Sequence, residues 1–490
     1  MRDSAAAIVI THAHNHCVSG ARAHTFIFSL TRLAAEKMGN YGDDDDDVAG
    51  ALEACKSTGK VILSWRSAQA NEKVAELCAA LLRRGVHDIQ SLDLSDNSMT
   101  DAHAAMLAEC FMHSTSPLRI DASGNSFGEA GATALAKIPS LRALDVTGND
   151  LGTGGEAFCA ALEQRTELEE LHLGGCVSRA AIVARVVAMA GRSTALRVLN
   201  LAWHDLMAVT AKGVTCAELL ARAMAKNTSI RTLVLEHCFL PSRAVAFIVR
   251  ALRGNRTLCE LCLDCNRISG DAGAALGEYL AMQDCPLQSL SLPNCHATPL
   301  SLRRICEGVR CSRRLTKLCL DENGIYDAGA AVVADAVRNC ATFTTLYMTR
   351  NEVKDAGAAA LASVFAACPK FEEMDLSFNQ VGDAGAAAFA QALADVRTCK
   401  VLNLDRNARI TEVGSRALAR AVVQSRSMEP IEVFGNTDDL CDAHERHKSA
   451  CQARQGAFAL VGACTSRPLA RFLRLDGDHA AMWRVVQWLV

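Results

Sequence analysis

Aromatic side chains are scarce in this 490-residue chain, at 5% of the total. That shortage argues against a single large aromatic core. Half of the residues are nevertheless hydrophobic, with much alanine, a mix that suits many small helices lying close to another layer. Long apolar runs are also missing. None approaches the length needed to cross a bilayer, and the six-residue stretch Ala5–Ile10 is interrupted by His12, His14 and His16 before it could serve as a secretory signal. No charge of one sign prevails either. A net charge of -3 from 51 basic and 54 acidic residues gives no reason to expect nucleic acid or a membrane surface as partner.

Catalytic signatures are equally sparse. Lys56-Ser57-Thr58-Gly59-Lys60 has half of a phosphate-binding loop, but the pattern needs Gly where Ala54 stands and Ser or Thr where Val61 stands. No Ser/His/Asp or Cys/His set stands out. The expectation is therefore no enzyme, no cofactor, no small-molecule substrate and no nucleotide-binding module. Cysteine is the one chemically active residue in excess, with 22 copies. Most lie inside apolar runs such as Leu77-Cys78-Ala79-Ala80, which favours reduced, buried thiols in an intracellular, cytoplasmic protein over a secreted disulfide framework.

The stretch LCELCLDCN (Leu258–Asn266) carries Cys259, Cys262 and Cys265 at metal-motif spacing. It also fits a nine-residue pattern, L-x-x-L-x-L-x-x-N, that recurs through the chain. IQSLDLSDN (89–97), LRALDVTGN (141–149), LTKLCLDEN (315–323), FTTLYMTRN (343–351), FEEMDLSFN (371–379) and CKVLNLDRN (399–407) are clear copies. Looser ones begin at residues 117, 168, 196, 230, 287 and 428, making thirteen units, most of them 28 residues apart. In this register the three cysteines take positions 2, 5 and 8. A strand rising about 3.3 Å per residue separates the outer two by about 20 Å, so they do not share one ion. Ser269 also stands where a ferredoxin-type run needs a fourth cysteine. The histidines at 12, 14 and 16 lack a fold to hold them. On a helix, Cys441 and Cys451 would lie about 15 Å apart. No metal site is expected in any of the three places.

The repeat resembles the leucine-rich repeat family in its long, ribonuclease-inhibitor-like class, over roughly residues 89–436. The resemblance implies an α/β fold: a right-handed leucine-rich-repeat solenoid (horseshoe) with a parallel inner sheet and outer helices. Positions 4 and 6 should face the core. Position 9, Asn in nine of the thirteen units and Cys176, Cys238, Cys295 or His204 in the rest, should bond the backbone that short strands leave unpaired. Asp-Ala-Gly-Ala segments at 271, 327, 355 and 383 should each open a helix, with Asp in its first turn. Residues 51–88 should form an N-terminal cap, from a strand at Val61–Trp65 and a helix at Asn71–Arg84. Residues 437–490 should form a helical C-terminal cap, whose MWRVVQWLV end (482–490) is amphipathic. Residues 1–50, with the acidic run Asp43–Asp47, should be a disordered extension.

Positions 3, 5 and 7 should display the concave face. They hold Glu170, Glu260 and Glu373; Asp93, Asp121, Asp145, Asp375 and Glu432; and Glu236, Asp264, Asp321 and Asp405, against only two bases, Arg119 and Lys317. Such a face steers a basic protein partner and repels nucleic acid and anionic membrane. A second candidate surface surrounds the one 34-residue unit, whose extra residues fall near Leu206–Gly213 beside Trp203, His204, His237 and His172. Tyr347, Phe378 and Phe434 suggest a third, aromatic patch. The leading expectation is a non-catalytic protein-binding scaffold. The resemblance leaves two alternatives open. One is a structural subunit of a large assembly such as the flagellar axoneme or its dynein regulatory complex. The other is a Ran-type GTPase activator, although Arg471, Arg474 and Arg484 lie where such proteins carry an acidic tail.

Overall fold

Each nine-residue unit supplies one short strand, and the strands stack in chain order. The computed structural model describes residues 48–63, 70–152, 154–177, 179–368, 370–395, 398–424 and 432–434. Fourteen parallel strands, from Lys60–Ile62 to Glu432–Phe434, form one sheet in strict sequence order. Fourteen helices alternate with them among the described residues, from Val48–Thr58 to Glu412–Gln424. The thirteen units account for the last thirteen strands. The first belongs to the expected N-terminal cap and runs from Lys60 to Ile62, followed by the helix Ala70–Arg84.

Register follows the repeat without slippage over most of the sheet. Position 4 of each unit pairs with position 4 of the next, as in Leu261↔Leu290↔Leu318↔Leu346. These side chains form a buried row from Val61 to Leu402, and position 6 forms a second from Leu94 to Leu404. Neither row can be covered by its own unit, so each repeat depends on its neighbours. The 24-residue unit interrupts the pattern: the pairing shifts between Leu118 and Arg119, and the following helix, Glu129–Ala136, has only eight residues.

The asparagines work as cross-links. Asn351 donates through Nδ2 to the Leu320 carbonyl of the preceding unit at 2.9 Å, while its Oδ1 accepts from the Asn323 and Ile325 amides at 2.9 and 3.3 Å. Asn323 and Asn379 repeat the arrangement. Where cysteine replaces asparagine, the thiols of Cys238 and Cys295 donate to the Leu201 and Leu263 carbonyls at 3.1 and 3.2 Å. A thiol supplies that donor but is a poor acceptor, so these rungs are weaker.

The Asp-Ala-Gly segments open helices as expected, and they also join units. Asp327 lies in the first turn of its own helix, Tyr326–Arg338. Its Oδ1, however, accepts from the Lys354 and Gly357 amides at the start of the next helix, at 2.7 and 2.9 Å. Asp355 serves Gly382 and Gly385 in the same way, and Asp383 serves Thr411 and Gly414. Each Asp thus satisfies the free amides of its neighbour's helix. The recurring glycine has the same origin: a Cβ on Gly357 would lie 2.6 Å from Asp327 Oδ1.

Lys56–Lys60 is not a phosphate loop in its geometry either. A helix ends at Thr58, Gly59 turns at φ +67°, and a strand begins at Lys60, the reverse of strand–loop–helix order. Packing divides the chain after Ala54. Of the first unit, Val48–Ala54 is described and is helical, so helix begins inside the segment expected to be irregular. Residues 1–47 and 435–490 lie outside the described residues, and with them the acidic run, both histidine clusters and the C-terminal cap. Among the described residues no helix is long and apolar enough to cross a membrane.

Candidate interaction surface

The last strand, Glu432–Phe434, departs from the expected register by two residues, so that Val433 pairs with Leu402 and Glu432 and Phe434 align with positions 3 and 5. The strands are only three to five residues long, and those from Ser91–Asp93 to Val401–Asn403 each end at position 5. An acidic or amide side chain there makes the turn. Asp93, Asp121, Asp145 and Asp375 each accept through Oδ1 from the amide at position 7, at 2.8–3.1 Å. Asn200 and Asn403 do the same. Part of the acidic signal therefore has a local cause, an Asx turn that closes the strand. The second carboxylate oxygen is left to face outward or to bond a neighbour, as Asp375 Oδ2 accepts from Asn403 Nδ2 at 2.9 Å.

The acids differ in accessibility. Glu260 is exposed, and Asp93, Asp121, Glu170, Asp321, Glu373, Asp375 and Asp405 are half-buried. Asp145, Glu236 and Asp264 are not displayed: they are 7%, 6% and 1% exposed. Position 7 falls in the turn beyond the strand, where exposure differs from unit to unit: Glu236 and Asp264 are enclosed there while Asp321 and Asp405 are half-buried. Asp145, at position 5, lies against the buried His172. Glu432 lies on the last strand, and its side chain is outside the described residues. Of the two bases, Arg119 pairs with Glu169 and Glu170, and the Lys317 ammonium sits 4.4 Å from the Tyr347 ring centre.

Burial and like charges raise several of these groups. Asp121 is pushed up to about 7 by burial and by Asp145 and Asp93 on the flanking strands. Burial lifts Glu236 to about 7. Asp264 reaches about 7 through burial and the charge of Glu236, and Asp321 about 6 through burial. Burial also depresses the Lys317 ammonium. A positively charged surface laid against this face would restore the full negative charge of these carboxylates.

The region around the long unit separates into two groups. Trp203 and His237, at position 8 of adjacent units, stack with ring centres 3.9 Å apart and planes at 16°. Both adopt left-handed backbone, φ 62° and 49°. His204 and His172 are not surface residues: they are 2% and 3% exposed. His204 occupies the asparagine ladder, its Nδ1 lying 3.1 and 3.0 Å from the Leu201 and Ala202 carbonyls, and burial lowers its pKa. His172 Nδ1 lies 4.0 Å from Asp145 Oδ2. The additional residues form an ordered loop closed by the antiparallel bridge Val209↔Thr215.

The expected aromatic patch also divides. Tyr347 turns its hydroxyl to Glu373, donating at 2.8 Å. Phe378, at position 8, is exposed and flanked by the guanidinium groups of Arg350 and Arg406, 4.6 and 5.9 Å from its ring centre. The Phe434 side chain lies outside the described residues. Position 8, which holds Trp203, His237, Cys265 and Phe378, forms a row of its own. It is left-handed in unit after unit, from Asp96 through Cys265 and Glu322 to Arg406. There His237 and Cys265, with Glu236 at position 7, come together with ligand-type atoms all within 4.8 Å of one another. Adjacent-unit register was the available signal, since His237 and Cys265 hold the same position 28 residues apart.

One helix per parallel strand, with a polar ladder at each turn, defines a repeat solenoid. Comparison with known proteins agrees. The family model described as Leucine Rich repeat matches residues 137–159, 339–362 and 367–390. The ribonuclease inhibitor of Sus scrofa is 25% identical over 341 residues, covering 60% of this chain and 72% of that protein. NACHT, LRR and PYD domains-containing protein 5 of Bos taurus is 28% identical over 259 residues, covering 51% of this chain and 23% of that protein. The chain thus spans about a quarter of the length of that bovine relative. In the solved structure titled Crystal structure of Rad7 and Elc1 complex in yeast, a similar chain is 14% identical with a TM-score of 0.45, covering 81% of this chain and 94% of that one.

The repeat, the sheet and the comparisons together support a leucine-rich-repeat protein that is similar to the ribonuclease inhibitors. Proteins of this class are generally binding scaffolds that engage protein partners.

Proposed function

We propose that this chain is a non-catalytic scaffold that takes a basic protein partner on the open face of its sheet, in a reducing, cytoplasmic setting. One observation carries the reading: across the sheet, positions 3, 5 and 7 hold eight accessible acids against two bases, and one of those bases is already paired with Glu170. The field of such a face favours approach of a cationic surface and disfavours nucleic acid. The porcine relative is named an inhibitor of ribonuclease, a protein-on-protein activity, which supports the same class of partner. Thirteen of the eighteen described cysteines are buried and no disulfide joins any of the eighteen, which suits a reducing compartment.

The test is capture from a native lysate by the wild-type chain and by a variant carrying Glu170→Lys, Glu260→Lys, Glu373→Lys and Asp405→Lys. These positions are exposed or half-buried, so the variant retains its core. The proteins held by the wild type should be basic, should elute as salt rises, and should be lost from the variant by at least 100-fold in affinity. Retention of the same proteins by both chains, independent of salt, would refute the proposal.

A further inference from the structure

We propose that Glu236, His237 and Cys265 form a binding site for a zinc-class divalent transition-metal ion in the turns that follow two adjacent central strands, Thr232–Val234 and Glu260–Cys262. The three come from positions 7 and 8 of one unit and position 8 of the next. Their carboxylate, imidazole and thiol donors lie within 4.8 Å of one another. The backbone arranges this. His237 and Cys265 are both left-handed, at φ 49° and 57°, and the His237 amide donates to the Asp264 carbonyl at 2.9 Å, locking the two turns side by side. Trp203 stacks on the imidazole and fixes its plane.

The donor set selects the ion. A thiolate and an imidazole with one carboxylate suit zinc or cobalt, whereas calcium and magnesium require oxygen. Donors around a tetrahedral zinc are about 3.5 Å apart, so the set closes on an ion through side-chain shifts of about 1 Å. His237 and Cys265 are half-buried, which leaves a path to solvent and a fourth position for water. Electrostatics favours a cation as well. Glu236 and Asp264 are both carboxylates buried on adjacent units, 6% and 1% exposed. Ser291 and Cys262 are the polar neighbours of Asp264, yet neither of its oxygens makes a hydrogen bond of normal geometry. A divalent ion bound at Glu236 would place the missing positive charge beside both carboxylates.

This site is not the linear cysteine motif. Cys259 and Cys262 take no part in it, and Cys259 instead directs its thiol to the Thr257 carbonyl at 3.3 Å.

Cobalt titration of the reduced, chelator-treated full chain tests the assignment. One equivalent of cobalt should produce a thiolate-to-metal charge-transfer band with tetrahedral visible absorption, both displaced by zinc. Cys265→Ser should abolish the charge-transfer band. His237→Asn, a residue that accepts left-handed backbone, should weaken binding at least tenfold. Cys259→Ser and Cys262→Ser should leave the spectrum unchanged. Circular dichroism checks that each variant is folded. Absence of the band in the wild type, or its persistence in folded Cys265→Ser, would overturn the proposal.

Discussion

Asp121 sits between Asp93 and Asp145 on three neighbouring strands, and its carboxyl does two jobs at once. One oxygen closes the turn by accepting from the Ser123 amide and hydroxyl, at 3.0 and 2.7 Å. The charge, meanwhile, is opposed by burial and by both neighbours, which lifts the group to about 7. Between its unfolded pKa, near 3.9, and about 7, the folded chain therefore binds the extra proton. Stability from this group is fully present at pH 4 and falls as pH rises to 7. Asp121→Asn keeps an acceptor for Ser123 and removes the charge. Its melting temperature should match wild type near pH 4 and exceed it increasingly up to pH 7, with a constant gain above; thermal unfolding across that range reads the difference. An equal shift at every pH would contradict the charge argument. At this scale the sequence told only half of the story. That acids gather at position 5 is visible in the string, whereas the turn bond that places them there depends on the strand ending at that residue.

Among the elements, the bond between repeats runs from one helix start to the next. Asp327 caps the helix that follows by 27 and 30 residues, and Gly357 is small because that carboxylate occupies its Cβ space. Two urea-unfolding measurements separate cap from space. Asp327→Ala should cost about 1 kcal/mol, the worth of a helix cap. Gly357→Ala should cost about 1–3 kcal/mol, because the inserted methyl also meets Val353 and Ala330. In the double variant the losses should be less than additive, since removing the carboxylate frees the space the methyl needs. The Asp-Ala-Gly strings mark helix starts legibly. What they conceal is the partner, which lies one repeat away and is invisible to any local window. The buried histidines show the same limit: His204 reads as a surface residue beside Trp203 until the ladder register, which the sequence does contain, is given priority over the insertion.

Over the whole molecule, a period near 28 residues fixes strand number, order and pairing, so the sheet is almost completely legible. Unit length also locates the irregularities, the shifted pairing in the short unit and the bridged loop in the long one. Surface chemistry is less legible, because identical residue types at positions 5 and 7 end up half-buried in one unit and enclosed in another. The central claim is that binding uses the sheet face and not the helices. A photo-crosslinking residue placed at Ser289 or Thr345, half-buried on the strands, is compared with one at Ala281 or Ala331, exposed on the outer helices or the turn that follows them. In native lysate the strand positions should crosslink a basic protein and lose it at high salt, with little product from the helical side. Crosslinks confined to Ala281 and Ala331 would contradict the account.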